Sequence, residues 1–219
     1  MTPGENRANL SARRWAPVIV ALLVALGGYF GAWVPHPAAG LVVTGLDFAE
    51  YVKFIPEVAG GQIVLLREAF YIPLVAGSVI CTFAASRRAL PVWLRFIAVI
   101  GSAALALAVL PPAWSPGLLL TPEFRLQVIA IVFCLLAIPL IAVSRVLPDW
   151  LLLPVTTLLA LVAAVWPAWS FMQVLPPIRA LYRTDSLLVG WGFWATTAGW
   201  LAVAFLALAG ISRRERVTR

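Results

Sequence analysis

Charged side chains are scarce in this sequence. They make up 11% of its 219 residues, whereas 63% of the residues are hydrophobic and the mean hydropathy is +0.98. A soluble globular protein of this size carries roughly 25% charged residues. The composition therefore excludes an ordinary water-soluble domain and predicts an integral membrane protein.

Residues that perform catalysis or bind metals are also few. The chain has one histidine, His36, and two cysteines, Cys81 and Cys134, in different apolar runs. A metal site needs several converging ligands, so we expect no metal and no cofactor, and we interpret the cysteines as small core residues. We interpret His36 as a loop residue; the less favoured alternative is an axial ligand of a pigment or haem, which needs only one histidine. The motifs of nucleotide-binding loops, serine hydrolases and zinc proteases are missing too. These absences argue against an enzyme without excluding one.

Long apolar runs are what the sequence has instead. A helix needs about 20 apolar residues to cross ~30 Å of hydrocarbon. The sequence thus predicts an all-α, polytopic membrane protein with six transmembrane helices in one integral membrane domain, residues 1–219. The six runs are residues 16–34, 69–85, 91–110, 126–143, 150–166 and 187–211. We expect residues 1–14 and 212–219 to be short cytoplasmic tails.

A charged segment interrupts this apolar pattern between the first two runs. TGLDFAEYVKFIPEV, residues 44–58, lies in a predicted outer segment, residues 36–66. Thr44 and Asp47 have the spacing of a capping box, and an amphipathic surface helix is predicted over about 45–55. The predicted apolar face consists of Phe48, Tyr51, Val52 and Ile55, and the polar face of Asp47, Glu50, Lys53 and Glu57.

Arg67 and Glu68 lie at the predicted outer edge of the second run. Adjacent residues on an α-helix point about 100° apart, so we expect these two side chains not to pair with each other. Arg67 is predicted to bond a carboxylate from elsewhere on the outer side. The candidates are Asp47, Glu50, Glu57 and Glu123.

Tryptophan and proline concentrate near the other predicted outer ends. The tryptophans are Trp33, Trp114, Trp166, Trp169, Trp191 and Trp194. WPAWSF (166–171) and VLPPIRALYRTD (174–185) are predicted to be proline-rich turns. We expect an apolar, aromatic rim edged by Arg179 and Arg183. Such a rim is typical of a docking surface for a protein or a lipid-like molecule, and equally of well-anchored loops.

Three functions fit these features. The favoured one is a non-catalytic subunit of a larger membrane assembly, such as a transport or export system, because no run carries a charge near its centre. The second is binding or carrying a lipid-like or quinone-like molecule at the outer face. The third is a membrane-embedded enzyme. Its acid or base would be one of Asp47, Glu50, Glu57 and Glu68.

The candidate residues for binding a partner or ligand all lie on the predicted outer side. They are Asp47, Glu50, Lys53, Glu57, Arg67, Glu68, Arg179, Arg183 and Trp169. Expected partners are membrane lipids, other membrane subunits and a hydrophobic small molecule. Nucleic acid is not expected despite a net charge of +7, because the basic residues lie at the helix ends, where they set topology and meet lipid head groups.

The distribution of basic residues predicts the orientation in the cell membrane. Eleven of the 16 lysines and arginines fall in the segments that are cytoplasmic if the N-terminus is cytoplasmic, and five fall outside. An excess of positive charge marks the cytoplasmic side. Both termini are therefore predicted to be cytoplasmic.

Reporter fusions test this orientation. Fusions after Arg88, after Arg145 and at the C-terminus are expected to be active only with a cytoplasmic reporter, because positive charge resists translocation. Fusions near Glu57, Ser115 and Arg179 are expected to be active only with an external reporter. Activity of an external reporter at the C-terminus would contradict the six-helix topology.

Overall fold

A computed structural model of the chain describes residues 3–36, 42–87, 89–111, 115–139, 147–182 and 189–217, and helices dominate it. The α-helices are α1 (Pro3–Tyr29), α2 (Gly45–Tyr51), α3 (Pro56–Ala59), α4 (Ile72–Ser86), α5 (Val92–Leu107), α6 (Pro116–Leu119), α7 (Arg125–Ala137), α8 (Asp149–Leu181) and α9 (Trp191–Val217). Short 3₁₀ helices cover Val52–Phe54, Arg67–Tyr71 and Pro122–Phe124. Each predicted apolar run overlaps one of the longer helices.

Two short strands complete the described secondary structure. Strands β1 (Ala32–Val34) and β2 (Val43–Thr44) pair antiparallel, with Ala32 opposite Thr44 and Val34 opposite Val43. The pairing places the start of α2 beside the chain that leaves α1, because α2 begins directly after β2.

Within the described residues, three helical segments are long and apolar enough to cross a membrane. They are Arg67–Ser86, Trp150–Leu181 and Trp191–Ile211, with 20, 32 and 21 residues. Large apolar side chains also lie exposed on the helices, for example Phe96 on α5 and Phe205 on α9. Many such side chains would be unfavourable in water but suit contact with lipid. These features support a membrane protein.

Helix α8 continues far beyond its predicted end. The sequence predicts a helix over 150–166 followed by turns, but α8 runs through Pro167, Pro176 and Pro177 to Leu181. The predicted turns at 166–171 and at 174–181 are therefore wrong. A proline removes one helical hydrogen bond, whereas ending a helix in apolar surroundings leaves several backbone groups without partners. Continuing the helix through the prolines therefore costs less free energy than ending it at Trp166.

The contacts divide the chain into two compact units. Unit 1 comprises residues 1–20, 74–159 and 203–219, and unit 2 comprises residues 21–73 and 160–202. The division falls inside four of the helices, so it follows contacts in space and not segments of sequence.

In unit 1, hydroxyl groups join α4 to α5. The Ser102 Oγ atom lies 3.0 Å from Ser78 Oγ and 2.9 Å from Thr82 Oγ1, and Ser78 Oγ donates to the Ser102 carbonyl at 2.9 Å. All three residues are buried. Shared hydrogen bonds of this kind satisfy buried hydroxyls and hold apolar helices together. Cys134 lies in the same core and, like Cys81, is a free thiol.

In unit 2, α1 and α9 approach each other closely at glycines. A Cβ atom on Gly28 would overlap the backbone nitrogen of Thr196, and one on Gly199 would lie 2.5 Å from the Ala25 nitrogen. Small residues allow two helix backbones to approach within van der Waals distance. The α1–α9 contact therefore depends on the absence of side chains at these positions.

Two neighbouring glycines test this contact. Gly28→Ala is expected to lower the free energy of unfolding by about 1–3 kcal/mol, because the added methyl group separates α1 from α9. Gly27→Ala is the matched control, since a Cβ there meets nothing within 4 Å. It should be neutral or stabilising, because alanine favours a helix over glycine by roughly 1 kcal/mol. Thermal unfolding in detergent measures both; equal losses would contradict the close contact.

Candidate functional site

Five aromatic rings form the centre of unit 2, and we call them the aromatic core. They are Trp33, Phe48, Phe70, Phe171 and Phe193. The ring of Trp33 lies 5.7 Å from Phe48, 6.3 Å from Phe70, 5.5 Å from Phe171 and 5.4 Å from Phe193, measured between centroids. Trp33 is 1% exposed, so it is a core residue and not the rim residue that the sequence suggests. The core brings together β1, α2, the 3₁₀ helix Arg67–Tyr71 (the 67–71 turn), α8 and α9.

The capping box that starts α2 is confirmed. The Thr44 Oγ1 atom accepts from the Asp47 backbone N–H at 3.4 Å, and an Asp47 carboxylate oxygen accepts from the Thr44 N–H at 3.0 Å. The amphipathic pattern is confirmed in part: Phe48, Val52 and Ile55 are buried and Asp47 is exposed. Tyr51 on the predicted apolar face is half-buried, as are Glu50, Lys53 and Glu57 on the predicted polar face. Helix α2 therefore rests its apolar face on the aromatic core.

The predicted surface helix is divided into three short pieces. The α-helix ends at Tyr51, a 3₁₀ turn follows over Val52–Phe54, and α3 begins at Pro56. Ile55 between them is extended, with ψ at 120°. The helical region is disfavoured for a residue that precedes proline, so Pro56 favours the interruption at Ile55.

Four of the predicted site residues meet in an ion-paired group, the Glu50 cluster. The group consists of Glu50, Lys53, Arg67 and Glu68. The Glu50 carboxylate lies 2.6 Å from Lys53 Nζ and 3.7 Å from Arg67 Nη1. The predicted interaction of Arg67 with a carboxylate of the outer segment is confirmed as an ion pair, at a separation too long for a hydrogen bond. Side-chain exposures of 14% for Arg67 and 27% for Glu50 make this a partly buried cluster.

The expectation that Arg67 and Glu68 do not pair is wrong. The Arg67 Nε atom donates to Glu68 Oε1 at 3.0 Å. These residues open a 3₁₀ helix after the extended Leu66 and do not lie inside an α-helix. The long arginine side chain bends back toward its neighbour, and the angle between adjacent Cα–Cβ bonds does not prevent this.

The remaining predicted site residues lie outside the Glu50 cluster. Asp47 is exposed on α2, and Glu57 is half-buried in the first turn of α3. Trp169 is 66% exposed on α8. Arg179 is half-buried in the last turn of α8, and Arg183 lies outside the described residues.

An apolar groove runs along α8 within unit 2. It has a volume of about 460 Å³ and is lined by Leu161, Val162, Val165, Trp166 and Trp169. Positions 161, 165 and 169 recur every four residues, so they share one helix face. All five residues belong to α8, so the groove is open, and an acyl chain or another hydrophobic molecule would lie along it without being enclosed. The sequence marks only Trp169 as a candidate here.

A second group of polar residues lies at the end of α8 and was not expected from the sequence. The rings of His36 and Tyr182 lie 5.7 Å apart. Tyr51 is a neighbour of Tyr182, and its pKa is raised to about 12, first by burial and then by Tyr182. A hydrogen bond to Tyr182 is one of the causes of that shift. Arg179 Nε is shielded from solvent and has no partner in hydrogen-bonding geometry among the described residues. In the sequence, this group is indicated only by the i,i+3 spacing of Arg179 and Tyr182 and by the hydroxyl of Tyr51.

No metal centre is found in the part of the chain that the structure describes, where no three His, Cys, Asp or Glu side chains converge. Comparisons of this chain with protein-family models, with curated proteins and with solved structures found no match. Functional inference therefore depends on the geometry of unit 2.

Cysteine accessibility tests the seating of α2. In a background without Cys81 and Cys134, Asp47→Cys is expected to react fastest with an impermeant maleimide, Lys53→Cys more slowly and Val52→Cys slowest, following their burial. Labelling in intact cells, read by gel shift, measures the order. Equal rates at the three positions would mean that this segment does not pack on the aromatic core.

Proposed function

We propose that the chain is a non-catalytic, multi-pass membrane subunit that docks a partner protein through the charged face of unit 2. This face consists of Asp47, Glu50, Lys53, Glu57, Arg67 and Glu68. The observation that carries the proposal is the attachment of α2: a capping box fixes its start, Phe48 belongs to the aromatic core, and Val52, directly after the helix, is buried. A preorganised surface loses little conformational entropy when a partner binds.

The charge of this face indicates the partner's chemistry. Four carboxylates and two cations contribute to it, and the two cations already pair with Glu50 and Glu68. Asp47 remains exposed and is the carboxylate best placed to meet another protein. Complementary charge guides association and fixes register. The proposed partner therefore presents a basic surface.

In this proposal all six longer helices cross the membrane and both termini are cytoplasmic. Support comes from the three segments that are long enough by themselves, from the shorter apolar helices Trp15–Tyr29 and Val92–Leu107, and from the eleven-to-five division of basic residues. The charged face of unit 2 would then lie on the outer side. A transport or export system powered by another polypeptide is one assembly of this kind.

An enzymatic function has less support. Glu50 and Glu68 are held against Lys53 and Arg67, and a general base must instead be free to reach a substrate proton.

Binding of a hydrophobic molecule is the second candidate function. The apolar groove on α8 is the observation that favours it, because Trp166 and Trp169 stand exposed beside aliphatic side chains that an acyl chain or a quinone tail would cover. Aromatic side chains contribute large apolar contact area with little loss of conformational freedom.

Gentle purification from the native membrane tests the two functions. A protein partner is expected to co-purify stoichiometrically with the wild-type chain, and Asp47→Asn is expected to reduce its recovery severalfold with the abundance of the chain unchanged. Asparagine keeps an oxygen for the Thr44 amide, so α2 should stay capped while the charge is lost.

The control is Glu123→Gln, which removes an exposed carboxylate from unit 1 and should leave partner recovery unchanged. Equal recovery with Asp47→Asn and with the wild type would overturn the docking role of this face. A bound lipid or quinone in place of a protein would favour the second function.

A further inference from the structure

From residues 62–66, which lead into the 67–71 turn, we infer an insertion into the membrane: the side chains of Val64 and Leu66 enter the lipid leaflet next to α2. These residues belong to unit 2 and directly precede Arg67 of the charged face proposed to dock a protein. The insertion does not depend on that docking role, because its partner is lipid and it occurs in the isolated chain. It also holds for either orientation of the chain in the membrane.

Apolar side chains lie exposed along the 62–66 segment. Val64 is 87% exposed and Leu66 is 43% exposed. The exposure alternates along the segment, since positions 62, 64 and 66 are exposed and positions 63 and 65 are half-buried. A period of two is that of an extended chain, in which alternate side chains point to the same side. Val64 and Leu66 therefore share a side that the described residues leave uncovered.

Hydrogen bonds anchor both ends of the segment. At its start, the Glu57 carbonyl accepts from the Gln62 N–H at 2.8 Å and from the Ile63 N–H at 2.9 Å. At its end, the Leu66 carbonyl accepts from the Ala69 N–H at 3.0 Å. The exposed side chains are therefore carried by a backbone that is tied to α3 on one side and to the 67–71 turn on the other.

The helical segment that follows sets the depth of these side chains in the membrane. Arg67–Ser86 is a candidate membrane span of 20 residues and begins directly after Leu66. Its 3₁₀ part, Arg67–Tyr71, and its α-helical part, Ile72–Ser86, have a combined length of roughly 32 Å, close to the ~30 Å of hydrocarbon. Leu66 therefore lies at the boundary of the hydrocarbon. Val64 is two residues away and at most about 7 Å from Leu66, which keeps it at head-group depth.

The chemistry of the segment suits this boundary. Transfer of Val64 and Leu66 from water to an apolar environment is favourable in proportion to the area that becomes covered. Within the described residues, the backbone groups of Val64 and Leu65 form no hydrogen bond. Unpaired backbone groups are excluded from hydrocarbon but find partners among hydrated head groups. The side chains therefore enter the leaflet while the backbone stays at its surface.

The preceding turn has the opposite character, which favours lipid over a protein partner. Its residues Ala59, Gly60, Gly61 and Gln62 are exposed and are small or polar. The large apolar side chains thus lie next to the membrane span, and the polar and small residues lie further from it. A docked protein would instead find its apolar anchors near the centre of the contact surface, away from the bilayer.

Spin labels in a bilayer test the insertion. Single cysteines replace Gln62, Val64 and Leu66 in a background without Cys81 and Cys134, and each labelled full-length chain is reconstituted alone in nanodiscs of phosphatidylcholine and phosphatidylglycerol. Collisions of the label with oxygen report lipid, and collisions with a water-soluble nickel chelate report water. We expect the ratio of the oxygen to the nickel collision rate to rise severalfold from position 62 through position 64 to position 66.

Gln62→Cys is the matched control, because position 62 is exposed on the same side as 64 and 66 but lies furthest from the span. All three positions are exposed, so the variants should melt at the same temperature as the cysteine-free background. Equal, water-like ratios at the three positions would overturn the inference. Low collision rates with both reagents at 64 and 66 would overturn it as well, because a protein surface and not lipid would then cover the segment. Since no partner protein is present, failure of the proposed docking role would leave this result unchanged.

Discussion

The burial of Trp33 is the constraint on which unit 2 depends. Its ring contacts aromatic side chains from α2, the 67–71 turn, α8 and α9. Its carbonyl accepts from the Gly190 N–H at 2.8 Å, which also ties the start of α9 to β1. Aromatic pairs contribute about 0.5–1.5 kcal/mol each beyond the area they bury. Segments distant in sequence are therefore fixed around one side chain, and the polar residues of unit 2 take their positions from it.

This arrangement explains why α2 is stable although it is short. Seven residues are too few for a stable isolated helix in water. Burial of Phe48 in the aromatic core supplies what the helix lacks, and each fully buried side chain of this size contributes on the order of 1.5–3 kcal/mol. The Glu50 cluster is the consequence of that seating, because α2 and the 3₁₀ helix after it carry Glu50 and Lys53 to the segment of Arg67 and Glu68. Charges that would be mobile on a loop are held in partly buried pairs.

The features that could be predicted from the sequence are those that depend on residues close together in the chain. Spacing and charge predict the Thr44–Asp47 capping box, the buried face of α2 and an ion pair of Arg67 with a nearby carboxylate. Long-range packing could not be predicted in this way: Trp33 resembles an interfacial tryptophan until partners from four other elements surround it. Pro167 resembles a helix terminator, but its effect depends on whether the surroundings offer water to the freed backbone groups. The approach of Tyr51 to Tyr182 leaves no local pattern at all.

The glycine contact between α1 and α9 has a consequence for biogenesis. About 170 residues separate Gly28 from Thr196, and ribosomes add roughly 5 to 20 residues per second, so α9 emerges on the order of ten seconds or more after α1. During that interval the bare backbone of α1 lacks the helix that it finally packs against. Other nascent helices compete for the same narrow surface. Any contact that α1 makes before synthesis has passed α9 must therefore be weak enough to give way to the glycine contact.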